Sequence, residues 1–175
     1  MTLHDAAIDR YSRQILVPDI GGVGQERLLA ARVTVLGTGL AARAARDLLD
    51  RAGVGDGPHA DVLIVFDREV ASLEHAHASD GPPVVVVAGV APDGLVVAAQ
   101  PGHPCPACLR VIVGNLQPAT GAAHALALGA LAVGMTLQEL LHPTSIGRVT
   151  RVREGGLPLV TDLTPLRACT AGSVP

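Results

Sequence analysis

Lysine and tryptophan are absent from the 175-residue chain, and aromatic residues are nearly absent. All 13 basic residues are arginine, and the aromatic residues are Tyr11 and Phe66. Any mechanism that needs a lysine ammonium group within this chain is therefore excluded. A net charge of −3 gives no excess of positive charge for nucleic acid, and so few aromatic side chains cannot form a base-stacking surface. We expect no nucleic-acid binding.

Cysteine is also scarce, with three residues in the whole chain. An odd, small number argues against a secreted disulfide scaffold and favours a reducing cytoplasm. The start of the chain, 1–9, has no basic head followed by an apolar run, so we expect no signal peptide. The length predicts one domain over 1–175, and a domain of this size buries roughly 70% of its unfolded surface, so it needs no disulfide framework to hold a core.

Hydrophobic patterning predicts an α/β fold. Residues 32–39 read as a short strand that enters a glycine turn, and 40–52 show helical spacing that ends at Gly53. A buried strand is predicted at 62–66. The valine run at 83–90 is too continuous for a one-sided strand and indicates the covered centre of a largely parallel sheet flanked by helices, with few strands.

The remaining elements follow from turn residues and short apolar runs. A helix is predicted over about 70–78, and the Pro-Asp-Gly turn at 92–94 predicts a hairpin into 95–99. The last two predicted elements are short strands at 148–153 and 157–161. We divide the domain into a helical arm at 1–31, an α/β core at 32–100 and a cysteine-bearing region at 101–175.

The stretch 119–141 is rich in alanine, leucine and glycine and is long enough to cross a membrane. His124, Gln138 and Glu139 interrupt it, and its small residues suit close packing against a sheet or a second subunit. We therefore predict a buried helix and no membrane association.

The turn at 37–42 fits the pattern G-x-G-x-x-G/A between a strand and a helix. Gly37 permits the turn, Gly39 lets a phosphate approach the backbone, and Ala42 lets helix and strand pack closely. Thr38 and Leu40 complete the candidate phosphate-binding set, because the first N–H groups of the helix face an anion there. The same small residues also suit a turn that binds nothing, so both interpretations stay open.

A bound nucleotide needs an acidic partner for its ribose at the end of the next strand. Asp67 ends the strand 62–66 but lies further along the chain than the usual spacing, and Asp61 stands at the wrong end of that strand. A strand-end or helix-capping role for Asp67 is the alternative.

Cys105 and Cys108 have the spacing of half a zinc knuckle, and Cys169 is a third thiol far along the chain. A closed zinc site needs four ligands, for which His103 or a partner chain is a candidate source. The alternatives are three small hydrophobic thiols or a redox-active C-x-x-C pair.

Together these motifs closely resemble the opening and the cysteine region of the ThiF/MoeB/HesA family, bacterial relatives of ubiquitin-activating enzymes. The resemblance is carried by the following segments, which take in most of the chain: RYSRQIL at 10–16, 21–29, RVTVLGTG at 32–39, RAGVG at 51–55, and PGHPCPACL at 101–109 with the helix after it and Cys169.

The resemblance implies a homodimeric Rossmann-like domain that uses Mg-ATP to adenylate the C-terminal glycine of a ubiquitin-like sulfur carrier. It also implies that the turn at Gly37 and Gly39 holds phosphates and that Arg13 reaches across the dimer to the γ-phosphate. By the same resemblance Asp67 matches an aspartate near the metal and the phosphates.

The chain also departs from the family pattern. It passes from Gly55 through 56–60 directly to a strand that resembles a later one, so the stretch that normally carries the ribose-binding acid, an Asn/Arg pair and a lysine is missing. Ala42 replaces the third glycine, and Gly172 stands in place of the fourth zinc cysteine.

Three functions are consistent with these features. One is an adenylating enzyme with a reduced site, acting on a carrier protein or a peptide. The second is a non-catalytic module, a pseudoenzyme that holds a peptide or pairs with a complete homologue in a heterodimer. The third is a dinucleotide-binding oxidoreductase, which the glycine turn alone permits but no acid–base pair supports.

Overall fold

The computed structural model describes residues 3–57, 59–66, 84–101, 114, 116–153 and 155–163. Within these residues the chain forms the helices and strands that follow, in chain order: α1 Asp5–Ile15, α2 Gly21–Ala30, β1 Val33–Leu36, α3 Leu40–Ala52, β2 Val62–Phe66, β3 Val84–Ala91, β4 Gly94–Pro101, α4 Ala122–Leu141, β5 Gly147–Arg153 and β6 Leu159–Leu163.

The strands form one six-stranded sheet in sequence order, β1 to β6. β1, β2 and β3 run parallel, whereas β3 to β6 pair antiparallel. The predicted Rossmann-like α/β fold is confirmed. The sheet is mixed because the hairpin at 92–94 reverses the chain after the parallel half.

The β1–α3–β2 unit lies where the sequence predicts it. The alternating apolar residues of β1 and the apolar side of α3 form one core with β2, in which Ala42, Ala45 and Leu49 are buried. The helix ends at Gly53, which adopts the left-handed conformation with φ +86°. This stop signal is the one the sequence indicates.

α4 packs against both α3 and the sheet. A Cβ on Gly129 would lie 2.7 Å from the Ala41 carbonyl oxygen and 3.1 Å from Ala44 Cβ, so the glycine permits close approach of the two helices. By length and a mean hydropathy of 1.4 this helix also meets the requirement for a membrane span, which a core helix often does. Its buried side, including Leu128 and Ala132, belongs to the main core.

The antiparallel half agrees with the predicted hairpin and the two later strands. Val90 pairs with Leu95 and Ala91 with Gly94, directly across the turn. β5 and β6 each begin within two residues of the predicted positions. The helix predicted over 70–78 lies outside the described residues.

We call the N-terminal segment 1–31, which contains α1 and α2, the arm. Both helices contact the C-terminal end of α3. Gln14 Nε2 donates a hydrogen bond to the Arg51 carbonyl oxygen at 2.9 Å, and Gln25 Nε2 donates one to the Ala52 carbonyl oxygen at 3.0 Å. These two hydrogen bonds therefore attach the arm to the C-terminal end of α3.

Candidate functional site

The turn between β1 and α3 is built around Gly37, which has φ +124°. This backbone conformation is rarely adopted by residues that carry a side chain. A Cβ on Gly37 would also lie 3.1 Å from Phe66 Cβ and 3.3 Å from Ala42 Cβ. The turn therefore requires glycine for conformation and for space, and the small Ala42 keeps the helix close to the strand.

The N-terminal end of α3 is open to solvent. Gly39 precedes the helix in an extended conformation, φ −70° and ψ 179°, and no side chain among the described residues caps the helix start. Thr38 is exposed and Leu40 is 37% exposed. The first N–H groups of a helix have no partner within the helix and carry partial positive charge. This corner, 37–42, can therefore receive a phosphate group.

Arg46 supports the corner from the next turns of α3. Its Nη2 donates hydrogen bonds to the carbonyl oxygens of Val35 at 2.6 Å and Gly37 at 2.9 Å. The guanidinium thus fixes the end of β1 and places a positive charge beside the turn. The sequence did not predict this role, because no spacing rule identifies an arginine that reaches back to the preceding strand.

Arg13 lies on the exposed side of α1, and α1 docks at the far end of α3. The neighbouring Gln14 binds the Arg51 carbonyl at the C-terminal end of α3, whereas the corner at 37–42 lies at its N-terminal end. The helix between them has 13 residues, which corresponds to about 20 Å. An arginine side chain does not span that distance, so the structure does not bring Arg13 to the corner of its own chain.

Neither candidate partner for a ribose lies beside the corner in the described residues. Asp61 stands at the start of β2, where its Oδ2 accepts a hydrogen bond from the Arg32 N–H at 2.8 Å. That contact gives Asp61 a structural role at the N-terminal ends of β1 and β2, whereas the corner follows the C-terminal end of β1. Asp67 lies outside the described residues, although Phe66 just before it packs against Gly37.

The zinc hypothesis concerns Cys105, Cys108 and Cys169, all of which lie outside the described residues. Among the residues that are described, no group of three or more histidine, cysteine, aspartate or glutamate side chains is placed to hold a metal ion. His124 is exposed in the first turn of α4.

Two curated relatives match part of the chain. The SAMP-activating enzyme E1 of Haloferax volcanii is 39% identical over 70 residues, which is 40% of this chain and 24% of that protein. The sulfur carrier protein ThiS adenylyltransferase of Bacillus subtilis is 46% identical over 52 residues, which is 30% of this chain and 16% of that protein. The matched segments thus span a quarter or less of these relatives. No family model matches the chain.

The fold matches solved structures over nearly its whole length. E. coli MccB bound to MccA-N7isoASN superposes with a TM-score of 0.64 over 92% of this chain and 74% of that chain, at 13% identity. At this identity the likeness shows the fold alone. Other E. coli MccB structures that match contain ATP or AMPCPP.

Proposed function

We propose that this chain, a ThiF/MoeB-like protein, adenylylates the C-terminus of a ubiquitin-like sulfur carrier or of a peptide, using ATP in the cytoplasm. The observation that carries the proposal is the corner at 37–42. It combines a glycine turn that tolerates no side chain with an uncapped helix start that faces solvent.

The reaction needs little from the protein beyond positioning. A carboxylate oxygen of the carrier attacks the α-phosphorus of ATP, a P–O bond forms, and the bond to the leaving pyrophosphate breaks. No protein nucleophile is required, and the N–H groups of the corner neutralise charge on the phosphates. The name of the Bacillus subtilis relative states this reaction on ThiS, and the MccB structures carry a peptide, MccA, or ATP.

The proposal includes magnesium, with Asp67 as the candidate ligand because of its position in the sequence. Asp67 follows Phe66, whose Cβ would lie 3.1 Å from a side chain on Gly37. A carboxylate is the kind of oxygen ligand that Mg²⁺ prefers. We assign Asp67 this role, with Arg46 already holding a fixed positive charge at the turn.

We further propose that the nucleotide is held weakly. β1 stands at the end of the sheet among the described strands, so the neighbouring strand that would carry a ribose-binding acid is not beside the corner. The absence of one charge-assisted hydrogen bond costs roughly 1.5–3 kcal/mol, or about ten- to a hundredfold in affinity. A second polypeptide that supplies such groups would restore affinity.

Dimerisation is part of the proposal because Arg13 is separated from its own corner by the length of α3. An Arg13 that acts on the γ-phosphate must belong to another protomer. The arm also exposes apolar side chains: Ile8 is 44%, Leu16 81% and Val23 68% exposed. A homodimer, or a heterodimer with a complete homologue, would cover them.

The test is ATP–pyrophosphate exchange with magnesium and a ThiS-like carrier that ends in Gly-Gly. We expect slow exchange above background, reduced at least about tenfold by Arg13→Ala because this variant removes one charge-assisted hydrogen bond to the γ-phosphate. Arg10→Ala, on the same exposed helix, is the matched control and should retain exchange. Absence of exchange with any carrier or peptide would contradict the enzyme proposal.

The second candidate is a non-catalytic module, favoured by the end position of β1 and by the absence of lysine. This chain would then hold a peptide or a complete homologue without turnover. Calorimetric titration with Mg-ATP distinguishes the two, because a module without a nucleotide site gives no heat at millimolar ATP. Measurable binding by the chain alone, together with ATP–pyrophosphate exchange, would remove this candidate.

A further inference from the structure

One nitrogen of the Arg46 side chain joins the end of β1 to the glycine turn. Nη2 donates hydrogen bonds to the Val35 carbonyl oxygen at 2.6 Å and to the Gly37 carbonyl oxygen at 2.9 Å. A terminal guanidinium nitrogen carries two hydrogens, so a single nitrogen can serve both acceptors. Because Arg46 belongs to α3, these bonds tie the helix to the turn from which the helix begins.

The bond to Val35 supplies a donor that a further strand would supply in a wider sheet. β2 pairs with β1 on one side, and the Val33 N–H donates to the Gly55 carbonyl oxygen at 2.9 Å on the other side. Alternate residues of a parallel strand direct their backbone groups to the same side. The Val35 carbonyl therefore points away from β2, as the Val33 N–H does, and Arg46 binds it there.

The bond to Gly37 fixes the peptide group that joins Gly37 to Thr38. The C=O and N–H of a trans peptide lie in one plane and point in opposite directions. The described residues contain no cis peptide bond. Because the Gly37 carbonyl points to the guanidinium of Arg46, the Thr38 N–H points away from it, and Thr38 is exposed to solvent.

A side-chain contact is needed here because glycine does not hold one conformation by itself. Gly37 has φ +124°, and glycine populates positive and negative φ with similar ease. The neighbouring bond to Val35 connects the same guanidinium to the sheet. Arg46 thus holds the direction of the Thr38 N–H relative to β1.

We infer that Arg46 is a positioning residue of the corner at 37–42. It holds the Gly37–Thr38 peptide in the free chain so that the Thr38 N–H is presented to a phosphate group of the nucleotide. The inference rests on the proposed function, since it concerns the same corner. Arg46 acts through the backbone and not by contact with the phosphate. The entropy of fixing the backbone of one residue in advance corresponds to about a tenfold gain in affinity.

The first measurement is made on the full chain without ligand. Residual dipolar couplings report the direction of each backbone N–H. The Thr38 coupling should fit the structure in the wild type and fall towards zero in Arg46→Ala, because the peptide then rotates. Val65 in β2 should keep its coupling, which shows that the fold is intact. Millimolar guanidinium chloride should partly restore the Thr38 coupling in Arg46→Ala, and sodium chloride should not.

Arg43→Ala is the matched control for the free chain. Arg43 is exposed on the same helix and carries the same charge, but among the described residues it makes no hydrogen bond to the turn. Its removal should leave the Thr38 coupling unchanged.

Arg46→Lys separates position from charge. The lysine Nζ lies one bond short of the place of Nη2, so the charge remains while the two hydrogen bonds are lost. Amide NMR titration with inorganic tripolyphosphate should give initial slopes for Gly39 and Leu40 about tenfold smaller than in the wild type, in Arg46→Lys as in Arg46→Ala. The free-chain couplings are measured on Arg46→Lys as well, so the test does not depend on the folding of Arg46→Ala.

The inference is overturned if the Thr38 coupling is the same in the free variants as in the wild type, even where tripolyphosphate binding falls, because the guanidinium would then act on the phosphate directly. It is also overturned if Arg46→Lys binds tripolyphosphate as the wild type does, because charge alone would then suffice. A wild-type chain that does not respond to tripolyphosphate would instead remove the proposed phosphate site, and the free-chain couplings would still decide whether Arg46 orients Thr38.

Discussion

The two ends of α3 differ in the contacts that the rest of the molecule makes with them. At the C-terminal end, Gly53 gives a left-handed cap, and Gln14 and Gln25 of the arm bind the carbonyls of Arg51 and Ala52. At the N-terminal end, no described side chain binds the first N–H groups. One end is closed by the protein itself, and the other is left open to solvent.

The difference suits the two ends of one helix to two roles, the C-terminal end to stability of the fold and the N-terminal end to ligand binding. Unsatisfied groups at a buried helix end are costly, and the arm supplies partners at the C-terminal end. The open N-terminal end can keep its N–H groups available because water solvates them until an anion binds. Changes at the C-terminal end should therefore affect unfolding, and changes at the corner should affect ligand binding as well.

Gly53→Ala should give the largest loss of stability. The new Cβ would lie 2.9 Å from Tyr11 Oη and 3.0 Å from Leu29 Cδ2, in a residue at φ +86°. Left-handed strain and overpacking together should lower the free energy of unfolding by about 2–5 kcal/mol, measured by urea denaturation.

Gly134→Ala is the matched control for Gly53→Ala. Gly134 lies within α4, and a Cβ there meets nothing within 4 Å. The same substitution should raise stability by about 0.5–1 kcal/mol through helix propensity. Equal effects of the two substitutions would show that the C-terminal end of α3 is not closed as described.

Gly37→Ala should have the next largest effect and should act on both properties. Strain at φ +124° and contacts of 3.1 Å with Phe66 Cβ and 3.3 Å with Ala42 Cβ should lower the free energy of unfolding by about 2–4 kcal/mol. The folded fraction should also lose Mg-ATP binding, as followed by amide NMR at low temperature. Retained binding would place the nucleotide elsewhere.

Gln25→Ala should cost less than the glycine changes. The side chain is fully buried and binds the Ala52 carbonyl oxygen, but in the described residues its own Oε1 has no partner. Losing the bond should lower stability by about 1–2 kcal/mol in denaturant titration. Gln14→Ala, which removes a bond in a more exposed place, should cost less than Gln25→Ala, and the reverse order would contradict this ranking.

Arg10→Ala should have the smallest effect. The ion pair of Arg10 Nη2 with Asp50 Oδ2 is 3.6 Å long, and the two side chains are 60% and 80% exposed. Such pairs contribute little in water, so the change in thermal midpoint should correspond to less than about 0.5 kcal/mol. A loss larger than that of Gln25→Ala would mean that the arm depends on this pair more than on its buried glutamine.

Much of the fold was predictable because its signals are local. The glycine turn, the stop at Gly53 and the Pro-Asp-Gly hairpin each depend on residues that are close in the chain. The continuous apolar runs of β2 and β3 indicated their positions directly. The antiparallel share of the sheet was harder to foresee, since strand pairing across β4 to β6 depends on contacts between distant residues.

The features that were not predicted are contacts between residues that are distant in the sequence or have no pattern of their own. Nothing local marks Gln25 as the partner of Ala52, because an isolated glutamine in a helix has no recognisable signal. Arg46 likewise looks like an ordinary surface residue of α3. The resemblance in the sequence implies that a stretch after Gly55 is missing, but only the sheet order shows that β1 stands at the edge among the described strands.

The most direct measurement is an amide NMR titration of the full chain with Mg-ATP. We expect the amides of 39–42 to shift selectively, those of Gly53 and Val54 to stay unchanged, and the affinity to be in the high micromolar to millimolar range. Uniform shifts along α3, shifts confined to its C-terminal end, or micromolar or tighter binding by the single chain would contradict a weak phosphate site at the open end of this helix.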